Sequence, residues 1–231
     1  MLPKINYPTF KVTLPVTDKE LSFRVMTLRE EKIILTAQES NNIIELMDAM
    51  LVCITNCCLD DIDFYKIPFF ELQYIYLNLR ANSIGIISKL MIPDDYDPNI
   101  KHEVMVNIED IDLKVGEKIN AIMFNDTDGM IVTYPNFNSA KKINRETDEN
   151  NRVLVFLRMC IVSVFDEENV YDEHTFSDDE LIEYINNLPS SYIIQIKTFI
   201  DSIPKIEYNV EYNNSRGEHK KIVLNSLANF T

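Results

Sequence analysis

The stretch FFELQYIYLNLRANSIG, residues 69–85, restricts the fold of this chain more than any other segment. Its apolar residues recur on every side at helical spacing. A helix that is apolar all round has no face to give to water and belongs inside a bundle. Two charges interrupt it, Glu71 and Arg80. Nine residues at about 100° each set them on opposite faces, so they cannot pair with one another. Each then needs its own partner, because an unpaired buried charge costs several kcal/mol. The expected partners are Glu30 or Glu31 for Arg80, and Lys32 or Arg24 for Glu71. These six residues are read as structural ion pairs.

The segments in front of this helix are read from their periodicity. TFKVTLP (9–15) and ELSFRVM (20–26) alternate apolar and polar residues around a turn, which predicts a β-hairpin with one buried face. Thr27 and Glu30 have capping-box spacing, so a helix is expected to start there and run to about Glu39. NIIELMDAMLVCITNCC (42–58) carries an apolar stripe at three- and four-residue spacing and predicts a second helix. Pro68 suits the first position of the third helix, and Gly85 its end.

From residue 88 onward the chain turns β-rich, with strands expected at 102–108, 118–124 and 129–135. NDTDG (125–129) predicts a hairpin turn with Gly129 free to take positive φ. The charged run 138–151 is expected to be exposed. NRVLVFLRMCIVSVFD (151–166) reads as a helix, with enough Val and Ile to allow a strand. Ser177 and Glu180 form a second capping box, opening a helix over 177–188; another is expected over 190–203, before Pro204. KIEYNVEY and HKKIVLNSL (205–212 and 219–227) close the chain as a hairpin. The fold class is therefore α+β. An N-terminal hairpin and three-helix module covers 1–87; a small antiparallel sheet with C-terminal helices and a closing hairpin covers 88–231. The sheets at 88–135 and 205–224 are expected to join, since two-stranded ribbons are marginal alone.

Charge narrows the function. Thirty-seven acidic against twenty-two basic residues leave a net charge of −15, which repels phosphate backbones and anionic lipid. Nucleic-acid and membrane partners are disfavoured. Only four Gly are present, and neither GxGxxG nor GxxxxGK[ST] occurs, so the common nucleotide-binding loops are absent. Neither a secretion signal nor a membrane-spanning run stands out, which makes a cytosolic protein the default. Cys53, Cys57, Cys58 and Cys160 include no second pair to complete a zinc site and read as buried reduced thiols. DTDG (126–129) fails as a calcium loop, because Phe124 and Pro135 stand where ligands are required. The acids Asp94, Asp95 and Asp97 read as a solvated loop. His102, His174 and His219 show no ligand or nucleophile spacing. No cofactor and no metal is expected.

The order of segments resembles a known family. PTFKVTLP, then FRVMTLREEKIILTAQES, then LQYIYLNLRANSIG resemble the baseplate hub and hub-assembly proteins of T-even-type contractile-tailed phages. The residues that carry this are Pro8, Leu14, Pro15, Arg24, Glu30, Glu31, Lys32, Leu35, Ala37 and Glu39, followed by Tyr74, Leu77, Arg80, Ser83 and Gly85. Weaker echoes lie in IVTYP (131–135), in the SDDEL helix and in the closing LNSLANF, while 136–176 adds little. Some relatives carry cysteine pairs near the last hairpin or before the middle sheet. Here NNSRGE has none, which puts a metal-dependent role in doubt. The resemblance implies a non-enzymatic hub component or assembly factor. It would bind other phage baseplate hub proteins in the host bacterial cytoplasm, with a place in the finished virion and self-association left open. Leu227 and Phe230 in the closing LANF are candidates for partner docking, or for packing on their own hairpin. The alternative is a cytosolic enzyme, most simply a hydrolase, in which His102 or His174 meets two carboxylates.

Overall fold

A computed structural model describes residues 3, 5–146 and 148–224. The fold is α+β, with seven α-helices and eleven strands in small antiparallel sheets among these residues. None of the described helices is long and apolar enough to cross a membrane. The chain divides into two compact units: Met1–Phe64, Phe70–Lys114 and Lys205–Thr231 form the first, and Tyr65–Phe69 with Val115–Pro204 the second. This differs from the division expected at residue 87. The C-terminal hairpin returns to pair with a strand near residue 113, so the last segment completes the first unit.

The first unit opens with β1 (Thr9–Thr13) and β2 (Glu20–Arg24), paired antiparallel with Phe10 opposite Phe23 and Val12 opposite Leu21. Helix α1 (Leu28–Glu39) starts at the Thr27–Glu30 capping box, and α2 (Ile43–Cys57) is capped by Asn42, whose side chain accepts from the Ile44 N–H. Leu46, Met47, Met50, Ile54 and Cys57 give α2 its buried stripe. Helix α3 (Phe69–Ser83) is the all-round apolar segment, and of its fifteen residues only Asn82 is exposed. Pro68 stands one residue before this helix rather than inside it. Beyond its end, Gly85 takes φ +134°, a conformation few other residues tolerate.

Strands β3 (Ile87–Pro93) and β4 (Lys101–Asn107) form a ribbon, followed by the short β5 (Asp112–Lys114). Leu77 of α3 shares one apolar cluster with Ile92 and Val106 of this ribbon.

In the second unit, β6 (Ala121–Met123), β7 (Gly129–Val132), β8 (Ile161–Phe165) and β9 (Val170–Asp172) form a four-stranded antiparallel meander in that order. Gly129 opens β7 without positive φ, contrary to the turn role expected for it. A Cβ there would lie 2.5 Å from the Ile122 carbonyl oxygen and 2.8 Å from the Phe165 ring, so glycine serves close approach. The charged run after Pro135 forms α4 (Phe137–Arg145), capped by Asn136, with Phe137 and Ala140 buried. The stretch 151–166 divides into α5 (Glu149–Cys160) and β8, so both of its readings are realised in sequence. Helix α6 (Asp178–Asn186) keeps the Ser177–Glu180 capping box, and α7 (Ile193–Ser202) follows a 3-10 turn.

The closing strands β10 (Lys205–Asn213) and β11 (His219–Leu224) belong to the first unit. β10 pairs with both β11 and β5, while β6 and β7 join β8 instead. The expected merger of middle and closing sheets is thus limited to β5. Ile206, Val210 and Leu224 complete the cluster around Leu77.

Candidate functional site

The polar groups singled out in the sequence meet at two places in the first unit. At the first, Arg24 leaves the end of β2 and grips Glu30 with both ends of its guanidinium, at 3.2 and 3.0 Å. It also donates to the carbonyl oxygens of Val25 (2.9 Å) and of Asn56 near the end of α2 (3.0 Å). Asn56 O lies in the last turn of α2, where carbonyls lack helical donors and the dipole favours a cation. Glu30 Oε2, one of the two oxygens held by Arg24, also accepts from the Thr27 N–H (2.8 Å) and hydroxyl (2.6 Å). Burial pushes the Glu30 carboxyl up, but Arg24 and Thr27 outweigh it and hold the pKa at about 2.

Glu71 is completely buried in the first turn of α3 and meets neither Lys32 nor Arg24. Its carboxylate accepts the backbone N–H groups of Val16 and Thr17, both at 2.9 Å, and the Thr17 hydroxyl at 3.0 Å. Its partners are thus amides of the β1–β2 turn. Arg80 is half-buried and forms no ion pair among the described residues, so the expected bond to Glu30 or Glu31 is not made. It lies near the buried Tyr76 phenol; burial raises that group's pKa, and the arginine's charge opposes the shift. Glu31 is half-buried and Lys32 exposed. Ser83, three residues beyond Arg80, accepts from the Met26 N–H at 2.8 Å and so ties the end of α3 to the start of α1.

The second place, expected to be a solvated acidic loop, is a lock between two hairpin tips. Asp94 is 2% exposed. One oxygen accepts from the N–H groups of Tyr96 and Asp97 (2.9 Å each) and the Ser215 hydroxyl (3.0 Å). The other accepts from the Ser215 N–H (2.6 Å) and faces His102 Nε2 at 2.7 Å. Burial raises the Asp94 pKa, but His102 and the three backbone N–H groups prevail and hold it well below the usual carboxylate range. An ionised Asp94 can only accept, so Nε2 of His102 carries the proton in this bond. The His102 ring packs against Tyr212 at 4.9 Å, and Arg216 lies over the Tyr96 ring. Lys220 bridges Asp95 (2.9 Å) and Glu218 (3.0 Å).

This cluster has the residue types of a hydrolase but not the wiring. The Ser215 hydroxyl donates to Asp94 rather than to His102, so no base is placed to activate it. His174 is exposed, with its backbone N–H on Asp172. Cys53 and Cys57 are buried, and burial pushes their thiols up to about 12 and about 11, which keeps them protonated. Among the described residues no group of His, Cys, Asp and Glu is arranged to hold a metal ion. Leu227 and Phe230 lie outside the described residues.

The sequence carries one signal for the Asp94 lock. Asp94 is followed after two and three residues by Tyr96 and Asp97, the spacing at which an Asp side chain caps its own turn. Its long-range donor, Ser215, had no such signal.

A family model described as "T4 bacteriophage base plate protein" matches residues 7–231. The chain belongs to this family of phage baseplate proteins. No curated protein and no solved structure matches it. The matched span includes the Arg24–Glu30 grip, the Glu71 anchor and the Asp94 lock, and it covers residues of both units.

Proposed function

We propose that this baseplate protein is a non-enzymatic component or assembly factor of the central hub, acting by binding other hub proteins. The family match over nearly the whole chain carries the reading. The hub assignment is the finer step, and its support is the ordered series of segments from Pro8 to Gly85 that resembles hub and hub-assembly proteins. Assembly in the cytoplasm of the infected bacterium fits a chain with net charge −15. The closing LANF, through Leu227 and Phe230, offers two apolar anchors for a partner groove. The hydrolase alternative gains no support from Asp94 and His102, whose bonds hold two hairpins together.

The test is a tagged copy of the chain expressed during infection by its phage. Hub proteins, identified by mass spectrometry, are expected to copurify with it, and to do so less well when Leu227 and Phe230 are both changed to Ala. Recovery of the chain alone, in infections that yield complete baseplates, would contradict a binding role. Mass spectrometry of finished particles then separates a retained component from a factor that leaves.

A further inference from the structure

The second unit holds a cavity that the architecture does not use. Residues 166–183, DEENVYDEHTFSDDELIE, contain nine acidic residues and no Lys or Arg. Beside this run lies an open cavity of about 460 Å³. Four aromatic side chains line it: Phe165, Tyr171, Phe176 and Tyr184. Phe165 is seated by the missing side chain of Gly129, and Tyr171 is fixed by donating its hydroxyl to Asp166 at 3.0 Å. Tyr171 and Tyr184 are 39% and 37% exposed, so their rings are open to an incoming group.

Three carboxylates stand on the same cavity: Asp128, Asp166 and Glu180. Asp128 accepts from the Asn125 and Thr127 side chains, Asp166 from the Glu168 and Asn169 N–H groups, and Glu180 from Ser177. No cation among the described residues forms an ion pair with any of the three, whereas neighbouring Asp178 is paired with Arg158. Burial, and after it the charge of Asp128, raises the Tyr184 phenol pKa, which fits a carboxylate facing that ring.

We propose that this aromatic cup is a docking site for a basic side chain, arginine above all, presented by a segment of another baseplate protein. This rests on the partner-binding reading above. Aromatic faces attract a cation through their quadrupole, and a guanidinium both stacks on rings and bonds carboxylates with its planar fork. The volume admits that side chain and part of its backbone. Charge complementarity selects this occupant: a second copy would bring another chain of net charge −15, and like charges disfavour that contact.

NMR of the isotope-labelled full chain tests the site, with the capped peptide Ac-Gly-Arg-Gly-Arg-Gly-NH2 as probe and its citrulline counterpart as control. Saturable shifts are expected at Phe165, Tyr171, Phe176 and Tyr184, with the citrulline peptide at least about tenfold weaker. Asp128→Asn with Asp166→Asn should weaken the arginine peptide by a similar factor. Asparagine keeps one acceptor oxygen at each position, enough for the Glu168 and Asn169 N–H groups that share a single oxygen of Asp166, so the unit should stay folded, as the unshifted remainder of the spectrum would show. Equal binding of both peptides would overturn the proposal. So would non-saturating shifts scattered over the acidic surface, the same shifts produced by calcium alone, or a dimer in sedimentation that Tyr184→Ala abolishes. Hub proteins that copurify equally with wild type and the double variant would overturn the cup as the docking site, yet leave the hub reading standing. Loss of copurification by wild type would instead overturn the hub reading.

Discussion

Glu30, Glu71 and Asp94 in the first unit are each at most 2% exposed, and their oxygens meet guanidinium, hydroxyl, imidazole or amide donors. In the second unit Asp166 and Glu180 are exposed, and with Asp128 they face a cavity with no cation. The same residue types thus do different things. A buried carboxylate has to be satisfied by the fold, and once satisfied it has nothing left to offer a partner. An exposed carboxylate costs the fold little and keeps its charge for whatever binds. In this baseplate protein Glu30, Glu71 and Asp94 account for architecture in the first unit, and the recognition proposed above falls to Asp128, Asp166 and Glu180 of the second.

Mutations can break this contrast. The largest effect is expected from Glu30→Ala, which leaves Arg24 unpaired and removes the capping box; stability should fall by about 4 kcal/mol in urea unfolding. The same residue predicts an acid response. Its pKa is about 2 in the folded chain against about 4.3 unfolded. The folded value is the lower one, so the contribution is complete above the unfolded value and drains as pH falls toward 2. Glu30→Gln should therefore flatten the loss of stability over that window. Next comes Glu71→Ala, which leaves two amides of the β1–β2 turn without their acceptor and should cost about 2–3 kcal/mol. Arg80→Ala should cost only about 1 kcal/mol, mostly lost packing of its stem, because it forms no ion pair. A loss above about 3 kcal/mol there would restore the buried-pair reading. The smallest effect is expected from Asp128→Asn with Asp166→Asn, within about 0.5 kcal/mol of wild type. A large loss there would erase the distinction between the two units.

Local chemistry was legible in the sequence and long-range chemistry was not. The two capping boxes, Thr27–Glu30 and Ser177–Glu180, are present as read, because each is contained within four consecutive residues. The interior position of α3 followed from its apolar circumference, and the separation of Glu71 from Arg80 from helical geometry. The partner of Glu71 was out of reach, since a search for opposite charges cannot see backbone N–H groups fifty-four and fifty-five residues away. Asp94 was misread for a related reason. Its chain neighbours are acidic and polar, and the hairpin tip that buries it arrives more than a hundred residues later. Helix α4 was overlooked because its charges dominate, while burial falls on Phe137, Ser139 and Ala140 around the Asn136 cap. The unit boundary depends on the return of β10 to β5, which no local pattern announces. The aromatic cup is assembled from residues between Asp128 and Tyr184, and its acids fall in three separate local patterns, a turn for Asp128, the end of an apolar segment for Asp166 and a capping box for Glu180.

The central claim, that this baseplate protein works by binding other hub proteins, is tested most directly by affinity purification of the tagged chain from infected cells, followed by mass spectrometry. Baseplate hub proteins are expected to be recovered with it. Recovery of the chain by itself, while the infection completes its baseplates, would contradict it.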